Sequence, residues 1–156
     1  MPQVVIVAPH PDDEIIGLFE ILETSSPIII YSGDLEESRR QTVLKLKDTI
    51  SIKAQIFLNT IPSTFINKEH IIYVPDPIYE IHPKHRYWGV IGESIARAGF
   101  DVIFYSIMMN APYIHEVKES KKKEELLTKV YPDQKSLWEY EKKYILFEGR
   151  CQWLFK

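Results

Sequence analysis

The sequence predicts an α/β sandwich with a mostly parallel sheet. Three observations predict it. Short runs of β-branched and apolar residues recur along the chain, apolar on both faces, as strands buried inside a parallel sheet are. Stretches with apolar residues at helical spacing lie between them. The two kinds alternate almost throughout, which implies right-handed crossovers between parallel strands.

Residues 3–8 (QVVIVA) are the first predicted strand. A helix follows, with Ile15, Leu18, Phe19 and Leu22 on one face, and "SSP" breaks it. "IIIYS" is the second strand, and a helix from Glu36 to about Ile50 places Val43, Leu46 and Ile50 together. "AQIFLN" is the third strand. Thr60 to Glu69, with Pro62 inside it, reads as a loop. "HIIYVP" is the fourth strand, ended by Pro75 and Pro77. Pro83 to Ala98 is helical with Trp88, Ile91 and Ile95 inward, and "DVIFYSI" is the fifth strand. Helices are expected over 116–131 and 133–147, and a short strand within 150–155. The charge run "KESKKKEE" reads as a solvated helix face.

At 156 residues the chain fits one domain, 1–156, and an apolar share of 45% suffices for a core. The net charge of −3 points to neither nucleic acid nor an anionic membrane. No apolar stretch approaches the length of a membrane span, and the start lacks a signal-peptide pattern, so a cytoplasmic location is expected. A single cysteine, Cys151, excludes an intrachain disulfide and a multi-cysteine zinc site. A metal would have to be held by histidine and carboxylate.

Two short motifs offer those groups. "HPDD" at 10–13 follows the first strand, and "HPKH" at 82–85 follows the fourth. In each, proline stands where a helix takes its first residue, and a possible ligand recurs three residues after the histidine. In open α/β sheets, ligands bind beyond the carboxyl ends of the strands, so both turns should open onto one edge. His10, Asp13 and His85 can then converge. Two histidines and one carboxylate, with a fourth position left for water, is an arrangement found in catalytic zinc sites. Acids at a helix start also serve as simple caps and dipole partners.

"VAPHPDDEIIG" and "HPKHRYWGVIGE" resemble the PIG-L/LmbE-like family of zinc-dependent N-deacetylases, which carries (A/P)HPDDE and a later HPDH. "SGDLEESRRQ" and "KKKEELLTKVYPDQKSL" look like two further segments of that family. The resemblance implies a Rossmann-like three-layer sandwich. It implies zinc ligands at His10, Asp13 and His85, a general base at Asp12, and an oxyanion-stabilising or proton-donating histidine at His82. The implied substrate is an N-acetylglucosamine-type small molecule in a sugar or glycoconjugate. Fe(II) or Co(II) would also suit such ligands. One departure is Lys84, where the family has aspartate; a cation beside His82 would disfavour its imidazolium. Another is the short middle segment, which suggests a shallow pocket or one completed by a second subunit in a homo-oligomer.

Around these residues, Glu14 is expected to cap the helix or orient His10. Arg39 or Arg40 is a candidate for the pocket rim. Tyr79, Tyr87 and Trp88 flank the second motif, with Trp88 spaced as a core residue. Tyr113 and His115 follow the fifth strand and are candidates for the same edge. His70 reads as structural, and Cys151 has no partner that suggests reactivity. Three functions fit these residues: a zinc amidohydrolase, a metal-binding module with little turnover, and a metal-free binding domain with acidic helix caps.

Overall fold

The computed structural model describes residues 2–32, 37–49, 55–58, 66–107 and 111–152. Among them, one sheet runs in the order β3-β2-β1-β4-β5-β7-β6. The strands are β1 (Gln3–Ala8), β2 (Ile28–Tyr31), β3 (Gln55–Leu58), β4 (His70–Pro75), β5 (Asp101–Ser106), β6 (Tyr113–Glu116) and β7 (Phe147–Cys151). β1 to β5 pair in parallel. β7 runs antiparallel to β5, and β6 antiparallel to β7. The sheet is therefore mixed, with its antiparallel part confined to one end. The helices are α1 (Asp13–Thr24), α2 (Glu37–Thr49), α3 (Pro83–Arg97), α4 (Ser120–Val130), α5 (Lys135–Tyr140) and α6 (Lys143–Leu146).

Alternate residues of the inner strands feed two apolar clusters. Ile6, Ala8, Ile29 and Tyr31 pack with Phe19 and Leu22 of α1, Val43 and Leu46 of α2, and Leu127 of α4. Val5, Val7, Ile28 and Ile30 pack on the other face with Trp88 and Ile95 of α3. Strands with both faces covered need apolar side chains at every position, which is why β1 and β2 lack polar alternation.

From β1 the chain steps outward to β2 and β3. It then returns to place β4 on the other flank of β1 and continues to β5. The connections after β1 and β4 thus diverge, which is the switch point at which open α/β sheets bind their ligands. α3 is pressed onto that end of the sheet. A Cβ on Gly89 would lie 2.6 Å from the Pro77 nitrogen, and one on Gly92 would lie 2.3 Å from Val74 Cγ2. Only glycine permits so close an approach, so "WGVIG" sets how near the start of α3 comes to the end of β4.

The carboxyl-terminal third departs from the sequence reading. Residues 113–116 are an edge strand, and α4 begins at Ser120 rather than 116. The expected helix over 133–147 is instead a 3-10 turn at Pro132–Gln134, then α5, then α6. The last strand starts at Phe147, not 150. "FEGRC" hides its strand nature because Glu148 and Arg150 look like solvent-facing charges. Both point into partnered, buried surroundings. Lys123, inside the run read as solvated, is fully buried as well. Among the described residues no helix is long and apolar enough to cross a membrane.

Candidate metal centre

The first turn is built by the end of β1 and the start of α1. The helix begins two residues later than expected, at Asp13, so Pro11 lies ahead of it rather than at its first position. Asp12 is the N-cap residue, with φ 109° and ψ −26°. Left-handed backbone costs a non-glycine residue about 1–3 kcal/mol and persists where surrounding bonds impose it. Here the Asp12 N–H donates to Glu14 Oε2 at 3.1 Å, while the Asp12 carbonyl accepts from Ile15 and Ile16 N–H. Glu14 thus caps the helix start and does not touch His10. It is fully buried, and the Tyr131 hydroxyl donates to its other oxygen at 2.5 Å. Burial pushes the Glu14 carboxyl up to about 7, against the Tyr131 hydrogen bond.

The second turn follows β4. Asp76 accepts hydrogen bonds from Ile78 and Tyr79 N–H at 2.7 Å each and folds the chain back toward α3. Pro83 occupies a first-turn position of α3, as expected. His82 is the N-cap, and its Nδ1 accepts from Lys84 N–H at 3.1 Å. An accepting Nδ1 puts the proton of the neutral ring on Nε2.

The two turns bring three donor atoms together. His10 Nδ1 lies 3.1 Å from His85 Nε2, and His85 Nε2 lies 3.0 Å from Asp13 Oδ2. His10 Nδ1 and Asp13 Oδ2 are 3.5 Å apart. Tetrahedral zinc at about 2.0–2.1 Å from each ligand separates its ligand atoms by roughly 3.3 Å. The triangle matches that separation on all three sides. Among the described residues, this is the one group of three or more His, Cys, Asp or Glu side chains placed to hold a metal ion.

Their electrostatics are those of a site that attracts a cation. Burial alone would raise the Asp13 carboxyl, but His85 and His10 outweigh it and hold it well below the usual carboxylate range. Burial alone would lower His85, yet Asp13 and Glu80 push it up to about 10. A proton on His85 therefore sits where a metal ion would supply the positive charge. Metal binding must displace it.

Glu80 was not foreseen. It is buried, with Oε1 at 3.2 Å from His85 Nδ1, a charge contact whose N–H is not aligned as a hydrogen bond. The same oxygen accepts from Ile107 N–H at 2.9 Å. A carboxylate behind the second ring nitrogen is a recurrent partner of metal-bound histidine, because it fixes the tautomer. The only signal in the sequence was "YEIHPKH", an acid shortly before the second histidine pair.

His82 packs edge-on against His10, ring centroids 4.5 Å apart, and lies 5.5 Å from the His85 ring. It is exposed, and its pKa is lowered by burial first, then by His10 and His85, with Lys84 adding to the same effect. Lys84 is also exposed. Asp12 is buried beside Asp13.

Comparison with family models, curated proteins and solved structures yields no match.

The remaining candidates divide. Tyr87 is exposed on α3, whereas Tyr79 and Trp88 pack against the apolar cluster beneath it. His115 and Tyr113 lie on β6 at the sheet edge, and His115 stands beside Glu20 and Glu148 rather than with His10 and His85. His70 opens β4 and meets Asn67 at 3.1 Å. Cys151 is buried, and burial pushes its thiol up to about 11, away from reactivity. Arg40 is half-buried on α2. The Arg39 side chain, Gly33 and Asp34 lie outside the described residues.

Proposed function

We propose that this chain is a zinc-dependent hydrolase that removes an N-acetyl or related acyl group from an N-acetylglucosamine-type substrate. The observation that supports it most is the His10–Asp13–His85 triangle, with sides of 3.0–3.5 Å, held at the ends of adjacent parallel strands. Apolar clusters on both sheet faces support a three-layer, Rossmann-like reading of the architecture.

A bound zinc ion would supply Lewis acidity toward the amide carbonyl and a water whose pKa is lowered to about 7. His10 Nδ1, Asp13 Oδ2 and His85 Nε2 would hold it, with the Glu80 carboxylate placed behind His85 Nδ1. Asp12 takes the proton of the attacking water and returns it to the departing amine. His82 donates from Nε2 to the amide oxygen as that oxygen gains charge, a contribution typically worth about 3 kcal/mol. Exposed Tyr87 offers an aromatic face to a sugar ring.

A metal-binding module with little turnover is the second reading. What favours it is Lys84, whose charge joins burial and the two neighbouring histidines in disfavouring protonated His82. The test is acetate release from N-acetylglucosamine and diacetylchitobiose by the zinc-loaded protein. The expected result is release that falls at least about a hundredfold in Asp12→Asn while zinc is retained. Bound zinc without acyl release from any N-acyl amine favours the second reading. A purified chain that binds no transition metal tightly overturns both, and leaves a binding domain with acidic helix caps.

A further inference from the structure

Helix α1 is broken in its middle. Leu18 has φ −141° and ψ 29°, outside helical values, so the ladder of backbone hydrogen bonds is interrupted there. A break in a buried helix exposes backbone groups to a medium without water, and each needs a partner. Three charged side chains from two other elements supply them. Lys123 Nζ of α4 donates to the Ile16 carbonyl at 2.6 Å. Arg150 Nη1 of β7 donates to the Gly17 carbonyl at 2.5 Å. Glu148 Oε2 of β7 accepts from Phe19 N–H at 2.7 Å.

Glu148 is also the shared counter-charge of both cations. Lys123 Nζ lies 3.3 Å from Glu148 Oε2, and Arg150 Nη2 lies 3.4 Å from Glu148 Oε1. Lys123 and Glu148 are fully buried. Buried ion pairs are seldom retained for stability, since apolar residues of similar size commonly do as well or better. What a charged set can do, and an apolar set cannot, is hold a broken helix at a chosen place. The broken-off piece, Asp13–Gly17, is just over one turn long and carries the Asp13 ligand. Its first end is tied by Glu14 to Asp12 N–H and to the Tyr131 hydroxyl. Its second end is hydrogen-bonded to Lys123 and Arg150, which Glu148 joins, and Ile15 and Ile16 pack it into the apolar core.

We propose that Lys123, Glu148 and Arg150 are positioning residues for the metal centre, acting through the break in α1 to set where Asp13 stands relative to His85. This rests on the metal-site reading above. It requires that the ligand-bearing turn move when its anchors go, even though none of the three touches His10, Asp13 or His85 in any contact described. α4 and β7 are thereby part of the site, although they approach it from behind.

The test compares wild type with the double variant Lys123→Met/Glu148→Gln. That variant removes Lys123 and the Glu148 charge together, leaves Arg150 with its bonds to the Gly17 and Gly149 carbonyls but without its carboxylate, and keeps a glutamine oxygen to accept from Phe19 N–H. Folding is checked by circular dichroism. Zinc affinity is measured by competition with a chromophoric chelator, and ligand geometry by the visible spectrum of the Co(II)-loaded protein. The expected result is a folded variant with roughly tenfold weaker zinc binding and an altered Co(II) band. Arg150→Lys, a milder change, should alter the band with a smaller loss, and it carries the test if the double variant does not fold. Folded variants with wild-type zinc affinity and an unchanged Co(II) spectrum overturn the proposal while leaving the metal site standing. A wild-type protein that binds neither metal overturns the metal site and this proposal together.

Discussion

The two histidine-proline turns look alike in sequence and behave oppositely in the fold. In the first, Pro11, Asp12 and Asp13 are buried and His10 half-buried. In the second, His82, Pro83 and Lys84 are exposed and only His85 is buried. The first turn is held by partners from far along the chain: Tyr131 on Glu14, then Lys123, Glu148 and Arg150 on the broken helix behind it. The second is held by the Asp76 turn, by Glu80 behind His85, and by the end of β5, where Ile107 N–H donates to Glu80 and Ser106 Oγ to the Tyr79 carbonyl. The difference teaches a division of labour. One turn is buried and carries two of the three candidate ligands, and the other adds one buried candidate ligand and an open face. Lys84 lies on that open face.

The sharpest way to break the comparison is to remove the ligand that joins the two turns. His85→Ala should weaken zinc binding by at least about a hundredfold, measured by chelator competition, because only two ligands remain and the Asp13 carboxylate loses its main partner. An undiminished affinity would mean the two turns do not share an ion.

A second effect is expected from pH in the metal-free protein. Asp13 and Glu80 raise His85 from 6.5 to about 10. A raised histidine contributes stability that is complete below about 6.5 and is lost as pH climbs through about 10. The Tm of the metal-free protein should therefore fall between pH 7 and 10. With zinc bound the fall should flatten, since no proton remains on His85 to lose. A metal-free Tm that rises over that range would contradict the pairing.

Glu80→Gln should come next. It keeps the shape but removes the charge behind His85, and zinc affinity should drop roughly ten- to a hundredfold with little change in the Co(II) ligand set. The smallest effect is expected at Lys84→Ala, which should leave zinc affinity within about threefold of wild type, because an exposed charge is screened by solvent. A large loss there would place Lys84 inside the site rather than on its open face.

Much of this was readable before any coordinates. Strands β1, β4 and helix α3 fall where the residue patterns placed them, because a run apolar on both faces has few places to go but the middle of a sheet. His10, Asp13 and His85 meet as expected, because both motifs follow parallel strands and strand ends share an edge. The rest was hidden for one physical reason. Glu80, Lys123, Glu148 and Arg150 are all charged, and a charged residue reads as solvent-facing unless its partner is known. For Lys123 the partners are distant in sequence: Glu148 and the Ile16 carbonyl. The same blindness delayed the last expected strand to 150, whereas it begins at Phe147.

The sequence by itself determined the alternation of strands and helices and the chemistry of the donor set, since both depend on residue type and local spacing. Tertiary structure alone decided that the first turn is buried and the second open, that α1 breaks at Leu18, and that β7 returns antiparallel between β5 and β6. Each of those choices is made by where a buried charge finds its counter-charge or a freed backbone group its partner, and that is a property of the packed chain.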